Sequence, residues 1–154
     1  MSNSVRDIID QQAASRGNRT FLISPETEQH ISYSELRSGA REIAAHLQAM
    51  GFVKGEKIAF LMNNGAWTAK LFLGVMYSGR VILPLNAVSG HEQLAYVIDH
   101  SDCRIIFVED EFQQKYGDLL EAVSDTIKIV PVSRQDGPQW PAKASDKLTE
   151  VIDI

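Results

Sequence analysis

Residues 57–84 read KIAFLMNNGAWTAKLFLGVMYSGRVILP, and their reading decides the fold. Ile58 to Met62 is an apolar run of strand length. Its apolarity is uniform rather than alternating, the pattern of a strand buried on both faces in a parallel sheet. Asn63-Asn64-Gly65 is a turn. Ala66 to Ser78 is a very apolar helix that ends at Gly79, and Val81 to Leu83 is a second buried run that drives into Pro84. Proline suits the end of a strand, where a missing amide costs no ladder bond.

Towards the C-terminus the pattern repeats. Ser89-Gly90-His91-Glu92 has the form of a capping box and opens a helix with Leu94, Val97 and Ile98 facing inward. Arg104 to Val108 is a strand. Glu111 to Ser124 is a helix carrying Phe112, Tyr116, Leu119, Leu120 and Val123, and Ile127 to Val132 is a last strand. This alternation predicts an α/β fold. A parallel sheet with strands at 57–62, 81–84, 104–108 and 127–132 is covered on both faces by helices in right-handed crossovers. Residues 1–132 form the α/β unit. Ser133 to Ala144, with Gly137, Pro138 and Pro141, reads as a loop, and Asp146 to Ile154 starts a short terminal segment.

Towards the N-terminus, Ser4-Val5-Arg6-Asp7 is a serine cap with an acid in the first turn. Val5, Ile8 and Ile9 share a face of that helix. Thr20 to Ser24 is a short strand, Pro25 to Gln29 a turn, and His30-Ile31 the returning strand. Ser32-Tyr33-Ser34-Glu35 is a capping box. Behind it Leu36, Ala40, Ile43, Ala44, Leu47 and Met50 recur at helical spacing, and Gly51 suits the left-handed residue that stops a helix.

The chain of 154 residues is one domain's worth and long enough for a real core. A net charge of −5 with scattered basic residues argues against a nucleic-acid partner. The single cysteine, Cys103, permits no internal disulfide, and a reducing cytoplasm is the simplest compartment. The polar start MSNSVRDIIDQQ lacks the build of a signal peptide. No apolar run approaches the ~20 residues that span a bilayer, so no transmembrane segment is expected.

Candidate chemistry is sparse. GxGxxG, GxxxxGK[ST], GxSxG and SxxK are all absent. Glu42 and His46 lie one helical turn apart and could share a metal, but a solvated helix face accounts for the pair. His91 and His100 are over two turns apart and cannot chelate one ion; both fit exposed polar positions. Asp99, Asp102, Glu109, Asp110 and Glu111 are close in sequence, as general acid–base or magnesium-binding groups must be in space. Turn and first-turn roles explain Asp102 and Glu111 without such chemistry. Cys103 has no evident histidine partner and reads as a small buried filler. Trp67 packs at the start of its helix, and Trp140 packs an edge. The loops after the strands, Asn63-Asn64-Gly65, Leu85 to Ser89 and Glu109-Asp110, would line the crevice of a doubly wound sheet. They offer a binding contribution but no complete active site. No catalytic, cofactor-binding or metal-binding residue is therefore assigned.

Three pieces of residues 31–87 resemble the N-terminal part of the adenylate-forming enzymes, the acyl- and aryl-CoA synthetases among them. Ser32-Tyr33-Ser34-Glu35-Leu36 is similar to the family's [ST]-Y-x-E-L. Gly51 to Ala59 is similar to its G-[VI]-x-x-G-D-x-V-A turn and strand, and Gly79 to Asn86 to its A-G-x-x-x-x-P-L-N. Their order and spacing fit, with a looser likeness over about residues 5–132. The resemblance implies an ATP-dependent, AMP-forming ligase that activates a carboxylic acid as an acyl-adenylate and passes it to a thiol. It implies ATP, magnesium and CoA for a full-length parent, and none of them for this stretch. The family's phosphate loop, magnesium-binding glutamate, ribose-binding aspartate and catalytic lysine come later than the last residue here. The expected partner is thus the remainder of the parent. Where many CoA ligases carry an arginine that helps hold CoA, this chain has Val88. The stretch alone is expected to be catalytically silent scaffold. It is also expected to self-associate or to expose an apolar face, above all on the helix 66–78, which is apolar nearly all round. A self-contained flavodoxin-like binding or regulatory module is the rival reading.

Overall fold

A computed structural model describes residues 3–141. The segment expected from Asp146 to Ile154 lies outside the described residues. The chain opens with α1 (Val5–Arg16), then a two-stranded antiparallel hairpin of β1 (Thr20–Ser24) and β2 (Gln29–Ser32), then α2 (Tyr33–Ala49). Both expected caps form. Ser4 Oγ accepts from the Asp7 amide while Asp7 Oδ2 accepts from the Ser4 amide, and Ser32 and Glu35 reciprocate in the same way at α2.

The main sheet follows: β3 (Lys57–Leu61), α3 (Ala66–Tyr77), β4 (Val81–Pro84), α4 (His91–His100) and β5 (Ile105–Glu109). It ends with α5 (Asp110–Lys115), α6 (Gly117–Val123), β6 (Lys128–Ser133) and β7 (Gly137–Pro138). The order across the sheet is β4-β3-β5-β6-β7. Its first four strands pair parallel, as the alternation predicts.

Every residue of β5, and all of β3 except Lys57, is buried. Successive side chains of these strands feed two cores. On one face Ala59, Leu61, Ile106 and Val108 meet Leu94 and Ile98 of α4, Phe112 of α5, Tyr116 at the junction and Leu120 of α6. On the other, Ile58, Phe60, Ile105 and Phe107 meet Ile43 and Leu47 of α2 and Leu71 and Val75 of α3. A third cluster joins Ile9 of α1 and Ile31 of β2 to Leu36, Ala40, Ala66 and Tyr77.

Five expectations need correction. First, β4 is an edge strand, not a buried one: Val81 and Pro84 are exposed, with Ile82 and Leu83 half-buried. Second, the capping box at 89–92 does not form. Ser89 Oγ donates to the Asn86 carbonyl, and Gly90 takes the cap position with φ +87. Third, the helix over 111–124 is two helices broken at Tyr116, whose φ of −116 leaves the helical range. Fourth, Ser133 to Ala144 is not wholly loop, because β7 returns antiparallel along β6. Fifth, α3 has no exposed residue. The α1 helix, the α2 helix and the hairpin cover the sides that the sheet leaves open. Contact with α2 is close: a Cβ on Gly74 would stand 2.6 Å from Ile43 Cδ1.

Candidate functional site

In a doubly wound sheet of this order, ligands bind at the topological switch point. That is the crevice at the carboxyl ends of the two strands whose connections leave in opposite directions. Here those strands are β3 and β5, and the residues there are Asn63 and Glu109. Glu109 is the last residue of β5 and is 7% exposed. Its Oε2 accepts from the Asn63 amide at 2.8 Å, and its Oε1 accepts from Arg134 Nε at 3.1 Å. Arg134 also donates to Glu26 Oε2 at 2.9 Å, which reaches the turn of the β1–β2 hairpin. Asn63 Nδ2 donates to Glu111 Oε1 at 2.8 Å. The Glu109 carboxylate holds the Arg134 guanidinium above the usual arginine value. One side chain therefore joins the ends of three structures, β3, β5 and the segment after β6.

The space left beside it is about 10 Å³, lined by Met62 to Thr68, Glu109 and Arg134. That is no more than the ~10–15 Å³ one water requires. The loop after β4 is likewise occupied by the protein itself. Tyr116 Oη donates to the Ala87 carbonyl, and Asn86 Oδ1 accepts from the Val88 amide. The Val88 side chain is 86% exposed.

A larger groove, about 550 Å³, runs between β2, α2 and α3. Trp67, Lys70 and Trp140 stand along it with Glu35 and Glu42. Burial holds the Lys70 ammonium below its ordinary value, and it sits 4.1 Å from the centre of the Trp67 ring.

The structure disperses the other candidates. His46 is not on a solvated face: it is buried, and Trp140 stacks on it with ring centres 4.2 Å apart and planes 4° from parallel. Glu42 Oε1 lies 3.9 Å from its Nε2. His91 and His100 are exposed, the latter stacked on Tyr96. Asp99 at the end of α4, Asp102 in the turn after it, and Asp110 and Glu111 in the first turn of α5 are all exposed, and Asp102 takes φ +58. Cys103 is buried, which pushes its thiol up. Among the described residues no three His, Cys, Asp or Glu side chains gather as a metal site. Nor is any helix there long and apolar enough to cross a membrane.

The AMP-binding enzyme family matches residues 9–152. The chain belongs to that family. It is similar to the sulfoacetate–CoA ligase of Cupriavidus necator, with 27% identity over 88% of this chain and 26% of that protein. It is also similar to the 3-hydroxybenzoate–CoA ligase of Aromatoleum sp., with 30% identity over 65% of this chain and 19% of that one. In fold it is similar to a benzoate CoA ligase from Burkholderia xenovorans, with a TM-score of 0.75 at 21% identity over 97% of this chain and 30% of that chain. The chain thus spans about a fifth to a quarter of the length of these curated relatives.

The family implies ATP, magnesium and CoA for a whole enzyme, and the switch point of this chain does not fit a phosphate. A phosphate at the switch point would meet the buried Glu109 carboxylate, a like charge in a poorly solvated place. No reaction step is assigned to this AMP-binding family member's described residues. The sequence offered Glu109 as one of several candidate carboxylates and as part of a crevice loop; what it did not show is that Glu109 ends β5, is buried, and is paired with Asn63 and Arg134. Its signal was an acid directly following the four apolar residues 105–108, where a strand interior ends and a crevice begins.

Proposed function

We propose that this chain acts as the N-terminal part of a longer AMP-forming carboxylic acid–CoA ligase, in which it is scaffold rather than active site. The observation that carries the reading is the family match over residues 9–152 in a chain spanning only 19–26% of its ligase relatives. The closed switch point supports the scaffold role, because the crevice that a nucleotide would use is filled by Glu109. In the complete enzyme, ATP with magnesium would activate the acid as an acyl-adenylate, and CoA would take the acyl group. The residues for those steps would come from sequence beyond this chain. The two ligase relatives named above act on acids as different as sulfoacetate and 3-hydroxybenzoate, so the acid is set outside the shared scaffold.

The test is pyrophosphate exchange with ATP, magnesium and a panel of fatty and aryl acids. The purified chain stays at background. Clear acid-dependent exchange by this chain overturns the scaffold reading and places a working site within its 154 residues.

A further inference from the structure

We infer that Glu109 is a resident anion: its side-chain carboxylate fills, from within the chain, the ligand position at the switch point of the sheet. Three observations converge on it. The strand order puts the crevice between the carboxyl ends of β3 and β5, and Glu109 is the last residue of β5. The carboxylate is more than nine-tenths buried, and both of its oxygens are taken, one by the Asn63 amide and one by Arg134. A main-chain N–H and a guanidinium are the donors that a protein sets around a bound carboxylate or phosphate. The cavity beside it is about 10 Å³, so the side chain fills its site. The crevice is an anion site whose ligand is covalently supplied.

The inference has a chemical consequence. Glu109→Ala removes a methylene and a carboxylate, the heavy atoms of acetate, and leaves both donors in place. The variant becomes a binding site for a small free carboxylate of about that size. Glu109→Gln keeps the volume and opens no hole.

The experiment compares thermal unfolding in sodium acetate and in sodium chloride at equal ionic strength and pH 7. Acetate raises the Tm of Glu109→Ala by roughly 3–5 °C when it stands at about ten times its dissociation constant. The unsubstituted chain, Glu109→Gln and the double variant Glu109→Ala/Arg134→Ala show no such difference. Benzoate, too large for the hole, has no effect on Glu109→Ala. If Glu109→Ala is unfolded in chloride, acetate restores its far-ultraviolet circular dichroism in a saturable titration. Acetate no better than chloride for Glu109→Ala, in either assay, overturns the inference. So does an equal acetate effect on the unsubstituted chain, which would mark a general solvent action.

Discussion

The two edges of the main sheet are finished in different ways. At the β6 edge the chain turns back through Gly137, pairs as β7, and is held by two indoles. Trp67 lies flat against Gly137 and donates towards the Gln135 carbonyl, while Trp140 stacks on His46 and meets Phe107 edge-on. At the β4 edge nothing pairs with the strand among the described residues. The amides of Val81 and Leu85 point inward to the carbonyls of Glu56 and Phe60. By alternation the even-numbered residues face outward, and one of them is Pro84, which has no amide to offer. One edge is closed by structure. The other is blunted by the removal of a donor, a recognised defence against edge-to-edge pairing.

The contrast is sharpest at Gly137. Its φ is +84, and a Cβ there would stand 2.4 Å from Trp67 Cζ2. Gly137→Ala therefore carries both backbone strain and a clash with a ring that has little room to retreat. A loss of about 2–4 kcal/mol in urea unfolding is expected. A change under half a kcal/mol would show that the hairpin is not part of the cooperative unit.

Trp140→Ala removes the stack on His46 and the edge contact with Phe107. It costs about 1–2 kcal/mol and leaves β4 untouched. Hydrogen exchange sharpens the comparison: protection falls along β6 and β7 and not along β3 and β4. Equal loss across the sheet would mean that the two edges are not independent.

Pro84→Ala at the open edge restores an outward amide. Stability moves by no more than about 0.5 kcal/mol, but association becomes concentration-dependent in sedimentation. An unchanged monomer would show that the proline is not the guard. Self-association of the unsubstituted chain, expected from its sequence, is measured in the same experiment.

The smallest effect concerns acid. Glu56, just before β3, is pushed up by burial, but this is outweighed by the Val53 amide and by Arg104, which hold its carboxyl below the usual range. A carboxyl lowered on folding stabilises the fold fully above the ordinary value of about pH 4 and less as pH falls through its folded value. Acid should therefore loosen the amino ends of β3 and β5 before it touches the β7 hairpin. Exchange measured between about pH 5 and 3 checks the order. Early loss at β7 would reverse it.

What could be read in the sequence follows the same line. β3 and β5 were legible because a strand buried on both faces leaves a continuous apolar run. β4 leaves the same run from an edge, since three apolar residues cannot record whether another strand lies beyond them. The capping boxes at Ser4 and Ser32 were legible because their partners lie within three residues. At Ser89 the same spacing failed, because Asn86 competes for the hydroxyl. Tyr116 kept the helical spacing across a break, so α5 and α6 read as one helix. His46 and Trp140 are distant in sequence, and their stack left no local trace. For Glu109 the residue type was visible, but its burial depends on Asn63 and Arg134, each brought to it by a different strand.

The strand order also bears on how the chain is made. β3 is the first strand of the main sheet to leave the ribosome and ends up inside it, between β4 and β5. Each of the three parallel ladders joins strands separated by at least one helix, so none closes early. The only local pairings are the hairpins β1–β2 and β6–β7, at the beginning and end of the described chain. During synthesis the nascent chain carries the apolar run of β3 unpaired until Pro84 has emerged. It remains uncovered on its other side until Glu109 has followed. Over that interval a strand that is buried at all but its first residue in the finished protein is the one most open to a chaperone.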